Sequence, residues 1–236
     1  MPTFNIYIPS YRRSDRIMTH NLVEYSTYIV RKSEEELYKA KGVNVLAVED
    51  SLIVGIPAVQ NWLIENAPED VICILDDDLT HFFYRTDVTQ KLGEDDKETI
   101  TAEIERLAQL AYDLEIGHVV TTRKGDPKSY TRPFSFSGIQ GTLKIINRAK
   151  CKSRFCEIDF LNDVDFMLQE LMRNRIILLS EYFSDVNIMD VNAGGSNVTK
   201  SAARFHVAVE QMKLKWGKYY EPAVGTERVG RIKVVR

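Results

Sequence analysis

The chain has 236 residues and a formal net charge of −3, with 44% hydrophobic and 28% charged residues. This length allows one large domain with a full hydrophobic core, and the composition is that of an ordinary globular protein. The negative charge argues against a broad nucleic-acid-binding surface, so any such contact must come from a local patch.

The sequence contains no recognisable membrane segment or secretion signal. No apolar run approaches the roughly 20 residues that cross a bilayer, and the first residues lack a signal-peptide pattern. The three cysteines, Cys73, Cys151 and Cys156, are odd in number and lack the paired spacing of a zinc site. We therefore expect a reducing, cytoplasmic location and no glycan on the Asn197–Thr199 sequon.

The first third of the sequence predicts strands that alternate with helices. Strands are predicted at 4–9, 27–31, 43–48 and 71–76. Helices are predicted at 14–25, 33–41 and 55–66. Ser14 or Asp15 is expected to cap the first helix, and Ser33 and Glu36 form a capping box for the second. This alternation is typical of βαβ units and predicts a mostly parallel, doubly wound sheet.

The loop after the first strand is rich in arginine. It carries Ser10, Tyr11, Arg12 and Arg13. An aromatic ring can stack on a base, and guanidinium groups bind phosphates through paired hydrogen bonds. The loop therefore predicts a nucleotide contact at the carboxyl end of the strand.

Five apolar residues at 71–75 run directly into Asp76, Asp77 and Asp78. Such a run predicts a strand buried on both faces, so the acids fall at the sheet edge where open α/β folds bind ligands. Adjacent carboxylates repel one another unless a cation joins them, and Mg²⁺ and Mn²⁺ prefer oxygen ligands. In a strand, Asp76 and Asp78 point to one side and Asp77 to the other. A solvated acidic turn is the alternative.

The rest of the sequence predicts a second, less regular half. Helices are predicted at 94–115, 161–171 and 199–214. Strands are predicted at 118–122, 138–146 and 175–180. Loops are predicted at 80–93, 123–134 and 192–197. The loop at 123–134 is polar and is a candidate to face an acceptor.

A second acidic group lies at the start of the helix predicted at 161–171. Its members are Asp159, Asn162, Asp163 and Asp165. Acidic side chains favour a helix N-terminus because of the helix dipole, and they need no other reason to be there. A carboxylate at this place can equally act as a general base toward a bound hydroxyl group. Both interpretations stay open on this stretch alone.

Taken in order, these motifs resemble those of GT-A-fold glycosyltransferases over about residues 4–180. The resemblance rests on Ile8–Arg13, Gly55–Asn61, Leu75–Leu79 as an Asp-x-Asp motif, and Asn162–Phe166 as an acceptor-side acidic motif. More narrowly, the chain is similar to the TET-associated glycosyltransferases encoded mostly by bacteriophages. The resemblance implies an α/β, GT-A-like, doubly wound and mostly parallel sheet with helices on both faces.

The implied organisation is one domain over residues 1–236. About 1–80 would be the nucleotide-binding half, about 81–199 the acceptor half, and 200–236 a C-terminal helix with a basic tail. The implied location is the host cytoplasm if a phage encodes the protein.

The resemblance also implies roles for individual residues. The donor nucleotide would contact Pro9, Tyr11, Arg12, Arg31, Asn61, Asp76, Asp77 and Arg204. A divalent metal would be held by Asp76, Asp78 and a late histidine, His206, although a lone histidine is more often structural. Family members keep Glu before the catalytic Asp, and this chain has Asn162 there, so Asp163 and Asp165 are both carried as catalytic candidates.

The implied reaction needs Mn²⁺ or Mg²⁺ and a nucleotide sugar, with a UDP-sugar expected. The family's task is transfer of a hexosyl or N-acetylhexosaminyl group onto hydroxymethylated pyrimidines in DNA, and no membrane partner is implied. Two segments independently suit DNA, because cations beside aromatic rings can hold phosphates and an unstacked base. They are 123–134, with its four basic residues, and the tail from Lys213, with seven basic residues against two acidic ones. A solvated tail is the alternative.

Three other functions remain compatible with these motifs. A GT-A transferase acting on a glycan or small molecule would hydrolyse the donor without retaining DNA. A Mg²⁺-dependent phosphoryl-transfer or nuclease domain would cleave DNA and ignore sugar nucleotides. A degenerate transferase would bind nucleic acid without catalysis and would tolerate loss of Asp78.

Overall fold

The computed structural model describes residues 1–122, 127–138, 140–158, 160–187, 201–222 and 230–234. Within these ranges, no helix has the length and apolar character needed to cross a membrane. Several sequence predictions lie outside the described residues: the basic pair Arg123 and Lys124, the acid Asp159, the glycine turn at 192–197 with the Asn197–Thr199 sequon, and the tail residues Arg228 and Arg236.

The strands of the described residues are β1 (Phe4–Pro9), β2 (Thr27–Arg31), β3 (Asn44–Val48), β4 (Val71–Ile74), β5 (Leu79–Arg85), β6 (Thr89–Leu92), β7 (His118–Thr122), β8 (Phe134–Ser135), β9 (Gln140–Asn147), β10 (Leu178–Ser180), β11 (Phe183–Asn187), β12 (Tyr220–Glu221) and β13 (Arg231–Ile232). The α-helices are α1 (Glu35–Lys39), α2 (Ile56–Asn66), α3 (Lys97–Asp113), α4 (Asn162–Arg173) and α5 (Ala202–Trp216).

Eight strands form the central sheet, in the order β3-β2-β1-β4-β9-β7-β10-β8. The pairs β1/β2, β1/β4, β2/β3 and β7/β10 are parallel. Strand β9 runs antiparallel to both of its neighbours, β4 and β7. The predicted mostly parallel sheet is confirmed, with a reversed strand near its centre.

Helices cover both faces of this sheet, as predicted. Alternate residues of β1 and β4 point to opposite faces, because side chains alternate along a strand. Ile6 and Cys73 belong to the hydrophobic cluster that contains Ile104 of α3. Tyr7 and Ile72 belong to the cluster that contains residues of α2. Burial of both faces explains why these strands read as continuous apolar runs.

The helix predicted at 14–25 is wrong and the helix predicted at 33–41 begins later than expected, because polar side chains in both segments make tertiary hydrogen bonds. At 14–25 the structure has only a 3₁₀ turn, Thr19–Leu22. The Thr19 hydroxyl donates to the carbonyl of Asp76 at 2.6 Å and accepts from the amide of Leu79 at 3.0 Å. Ser33 donates to Asp50 at 2.6 Å and forms no capping box, so α1 begins only at Glu35.

The loop predicted at 80–93 is also wrong, since this segment forms β5 and β6. With β11 they make a separate antiparallel sheet in the order β11-β5-β6. Its aromatic side chains pack across strands, with the Phe82 and Phe183 rings stacked at 5.2 Å. Cross-strand aromatic pairs stabilise a sheet, but their partners lie about 100 residues away in the sequence and local patterning cannot reveal them.

The remaining predicted elements are confirmed with shifted ends. The helix predicted at 94–115 is α3, and that at 161–171 is α4. The strand predicted at 175–180 is the shorter β10. The helix predicted at 199–214 appears as α5, where the Ser201 hydroxyl accepts a hydrogen bond from the amide of Arg204 and caps the helix.

Phe166 ties α4 to the segment before it, and its replacement by alanine tests this packing. The ring is fully buried, stacks on Phe155 at 4.0 Å and meets the His118 ring edge-on at 4.9 Å. We expect Phe166→Ala to lower the free energy of unfolding by about 3–5 kcal/mol. Met172 is an exposed residue of the same helix, and Met172→Ala is the control. Urea denaturation should show that this substitution changes the free energy of unfolding by no more than about 0.5 kcal/mol. Equal losses would contradict this account of the packing.

Candidate active site

Parallel strands bring the predicted donor residues to one edge of the sheet. Strands β1, β2 and β4 lie side by side and end at the same edge. The loop after β1 carries Tyr11 and Arg12, β2 ends at Arg31, and β4 leads into the three acids. Loops from adjacent strand ends therefore converge here, as in other open α/β sheets.

Tyr11 lies between two arginines. The guanidinium carbon of Arg31 is 4.1 Å from the centre of the Tyr11 ring, and that of Arg12 is 5.0 Å away. Arg12 has a left-handed backbone (φ +55°), an uncommon conformation for this residue type. Its amide donates to Glu34 at 3.1 Å. The structure thus brings together three predicted donor residues, with Pro9 at the end of the adjoining strand.

Asn61 has a different place from the other predicted donor residues. Its side-chain Nδ2 donates to the carbonyl of Phe155 at 2.9 Å, and its Oδ1 accepts from the Phe155 amide at 2.8 Å. Both ends of the amide therefore hold the segment before α4 against α2.

The three acids do not follow the alternation predicted from a strand. Strand β4 ends at Ile74, and Asp77 and Asp78 form a turn. Both turn acids contact Arg13, whose Nη1 is 2.7 Å from Asp77 and 3.3 Å from Asp78. Asp77 also accepts a hydrogen bond from the Ser10 hydroxyl. The prediction that Asp77 points away from its neighbours is wrong because side chains alternate only within a strand.

Asp76 is a buried carboxyl of this cluster with a strongly raised pKa. Burial, as the largest cause, and the nearby charges of Asp78, Asp163 and Asp77 together raise its pKa to about 7, while Lys144 opposes them. Asn187 of β11 donates a long hydrogen bond of 3.4 Å to Asp76. The site thus concentrates negative charge from β4 and from α4, as a cation-binding site would.

Lys144 is a site residue that the sequence prediction missed, whereas Arg13 belongs to the loop already predicted to bind phosphates. Lys144 is only 2% exposed, and its Nζ lies 3.5 Å from Oδ1 of Asp163. It stands on β9 directly opposite Ile74 of β4. A lysine inside the apolar run Leu143–Ile146 was the available signal, because a buried ammonium group requires an anionic partner.

The two catalytic candidates on α4 have different surroundings. The side chain of Asp163 is 30% exposed. Asp165 is fully buried and accepts hydrogen bonds from Lys215 at 2.9 Å and from the indole of Trp216 at 2.8 Å. Asp165 therefore anchors α5 to α4, and Asp163 is the carboxylate that reaches the acidic cluster.

Arg204 and His206 lie on the exposed side of α5. Arg204 borders a shallow surface depression with Glu157 and Val207. The His206 ring packs 6.5 Å from that of Phe205. In the part of the chain that the structure describes, no three histidine, cysteine or acidic side chains are grouped to hold a metal. The predicted metal ligands Asp76, Asp78 and His206 are therefore not grouped as a metal site in the described residues.

The predicted acceptor segments are only partly available at the surface. Lys128 and Arg132 are exposed, while the Tyr130 ring lies 5.8 Å from the buried guanidinium of Arg85. In the tail, Tyr220 is 4% exposed and cannot stack on a base. The prediction of a stacking surface is wrong for Tyr220, because the ring packs into the hydrophobic cluster beneath α5.

The raised pKa of Asp76 gives a testable pH dependence of stability. As pH rises above the ordinary carboxyl range, the unfolded chain loses this proton first, so the metal-free folded state is progressively destabilised up to about pH 7. We expect Asp76→Asn to raise the free energy of unfolding by on the order of 2–4 kcal/mol near pH 8, and by almost nothing near pH 4.

Urea denaturation in a chelating buffer at both pH values measures this difference. Asp87→Asn, at an exposed position on the β5–β6 turn, is the matched control and should show no such pH dependence. A stability gain that is equal at both pH values would argue against a perturbed Asp76.

Comparison with known proteins identifies the family of this chain. A sequence model of the TET-associated glycosyltransferases matches residues 4–195. No curated protein matches the chain.

Similar solved structures include glucosyl-3-phosphoglycerate synthase from Mycobacterium tuberculosis. Its complex with Mn²⁺, UDP-glucose and glycerol 3-phosphate has 10% identity and a TM-score of 0.55, covering 93% of this chain and 83% of that one. Its complex with Mg²⁺ and UDP has 11% identity and a TM-score of 0.53, covering 93% and 82%. Such low identity establishes a shared GT-A-like fold and no more. On the family match, the chain belongs to the TET-associated glycosyltransferases.

Proposed function

We propose that this glycosyltransferase moves a sugar from a nucleotide sugar to the hydroxymethyl group of a modified pyrimidine in DNA, with the help of a divalent cation. One observation carries the proposal. Asp76, after β4, and Asp163, at the start of α4, act on each other electrostatically at the edge where Tyr11 and Arg31 also lie. A donor-side acid and an acceptor-side acid thus share one site.

The residues around Tyr11 suit the nucleotide part of the donor. The two guanidinium groups beside the Tyr11 ring supply positive charge for phosphates and planar surfaces on which a base can stack. The synthase from Mycobacterium tuberculosis has been solved with UDP-glucose and Mn²⁺. Its shared fold supports a UDP-sugar as the donor.

The acidic residues fit a divalent cation. Asp76 and Asp78 raise the energy of each other's charged form, and a bound cation relieves this repulsion. Mg²⁺ and Mn²⁺ often take only one or two protein carboxylates and keep other positions for water and phosphate oxygens. When bound, the ion would offset the negative charge on the leaving diphosphate. His206, the third ligand that the family resemblance implies, lies on the exposed side of α5 and is not grouped with these acids in the described residues.

Asp163 is suited to act as the general base. Its Oδ1 is buried, so the 30% exposure of the side chain comes from its other atoms, which include Oδ2. The acceptor hydroxyl gives its proton to this carboxylate, its oxygen forms a bond to the anomeric carbon, and the bond from that carbon to the diphosphate breaks. General bases of this kind contribute about 10²–10⁴-fold in rate.

A DNA acceptor is supported by the family to which the chain belongs and by local charge. The exposed Lys128 and Arg132 are basic, although the chain as a whole is negative. A substituent at position 5 of a pyrimidine lies in the major groove, where a protein can reach it without separating the strands.

Intact-mass spectrometry tests donor, acceptor and metal together. A duplex with hydroxymethylated pyrimidines is incubated with enzyme, Mn²⁺ and a panel of nucleotide sugars. We expect the DNA to gain the mass of one sugar per modified base, and this gain to disappear with EDTA or in Asp78→Ala, because the carboxylate is needed for the cation. Asp87→Ala is the matched control and should retain the gain.

The other outcomes identify the alternatives. Donor hydrolysis without a mass gain on DNA would keep the transferase and reject the DNA acceptor. Cleavage of the DNA with no use of any sugar nucleotide would reject the proposed reaction altogether.

Asparagine substitutions at the two acids of α4 test which of them is the base. We expect Asp163→Asn to lower kcat by about 10²–10⁴-fold because the base is lost, and to lower the melting temperature as well because the buried Lys144 loses an anionic partner. Asp165→Asn leaves Lys215 without its buried partner and should lower the free energy of unfolding by about 1–3 kcal/mol. This is less than for a fully buried ion pair, because Lys215 is 37% exposed and water screens its charge.

Thermal denaturation and steady-state kinetics on both variants make the comparison. If Asp165→Asn instead abolishes turnover at unchanged stability, the base has been assigned to the wrong residue.

A further inference from the structure

A buried ammonium group lies between the two halves of the candidate site. Lys144 belongs to β9, the strand that runs antiparallel between β4 and β7. Strand pairing on both sides fixes its backbone opposite Ile74 and Val120. Its Nζ donates to the carbonyl of Thr142 at 3.0 Å. A charge that is 2% exposed and held by a central strand cannot move far.

One neighbour of this ammonium is the proposed base. Oδ1 of Asp163 lies 3.5 Å from Nζ. This oxygen is buried and receives no hydrogen bond from the residues that the structure describes. Charge attraction to Lys144 therefore turns one oxygen of the carboxylate inward, and the rest of the side chain stays partly exposed.

The other neighbour is Asp76. Lys144 is the main influence that opposes the effects of burial and of the surrounding acids on this carboxyl. Arg13 makes its ion pairs with Asp77 and Asp78 instead. Arg13 thus forms ion pairs with the two acids of the turn, and Lys144 interacts electrostatically with Asp76 and Asp163.

We propose that Lys144 is a positioning residue for sugar transfer, which orients Asp163 and weakens the binding of a divalent cation at Asp76. The inference rests on the proposed function and adds to it a single buried charge that acts on both the base and the metal ligand. It predicts effects of opposite sign when the charge is removed. Cation binding becomes tighter, since a repelling charge is gone, while turnover becomes slower, since the base is no longer held.

Lys144→Met removes the charge and keeps most of the side-chain volume. Mn²⁺ binding is measured by electron paramagnetic resonance on the enzyme without donor or acceptor. We expect the Kd for Mn²⁺ to fall about tenfold, as expected for loss of a nearby buried charge. We expect kcat to fall at least about tenfold, with the KM for the donor little changed. Lys91→Met, at an exposed strand position, should change neither quantity.

A double variant covers the case in which Lys144→Met does not fold. Removing both members of a buried pair is less damaging than removing one. We therefore compare Asp163→Asn with Asp163→Asn/Lys144→Met, and the added substitution should again tighten Mn²⁺ binding.

Two results would overturn the inference in distinguishable ways. If the wild-type protein binds Mn²⁺ but loss of Lys144 leaves the Kd unchanged or raises it in both backgrounds, Lys144 has only a structural role and the proposed function survives. If the wild-type protein does not bind Mn²⁺, the metal-dependent function fails, and this inference fails with it.

Discussion

Four carboxylates come together beyond the end of β4, and the protein can keep them there only by supplying positive charge from two other elements. Acids removed from water are costly unless they are paired. Arg13 comes from the loop after β1, and Lys144 comes from β9. This requirement explains why the long loop after β1 runs around the acidic turn. There the Thr19 side chain also forms hydrogen bonds with the backbone of Asp76 and Leu79.

The same constraint divides the site into two parts with a shared boundary. The proposed donor part is built from the ends of parallel strands, which bring Tyr11, Arg31 and the acidic turn to one edge. The proposed acceptor part is built from α4. Strand β9 lies between them, and its reversed direction places a mid-strand residue, Lys144, beside both. A rigid central strand holds this charge better than a loop would.

Sequence reasoning found what depends on local pattern. Apolar runs predicted β1 to β4, and helical spacing predicted α2, α3 and α4, because each buries a face against the same core. It found Asp76 and Asp163 because each lies in a cluster of acids that are neighbours in the sequence. It missed β5 and Lys144, since their partners are distant in the chain and only tertiary contacts reveal them. Asp165 and Asp163 look alike in the sequence, and only the packing of α5 separates their roles.

The ion pair between Asp165 and Lys215 sets how α5 can dock on α4. Sliding α5 by one helical turn, about 5.4 Å, would withdraw both the ammonium and the Trp216 indole and leave Asp165 buried without these partners. An apolar contact alone would tolerate such a slip, whereas a buried carboxylate does not. These contacts fix α5 in one register on α4. Lys215 and Trp216 therefore also determine the orientations of Arg204 and His206, which lie several turns away on the same helix.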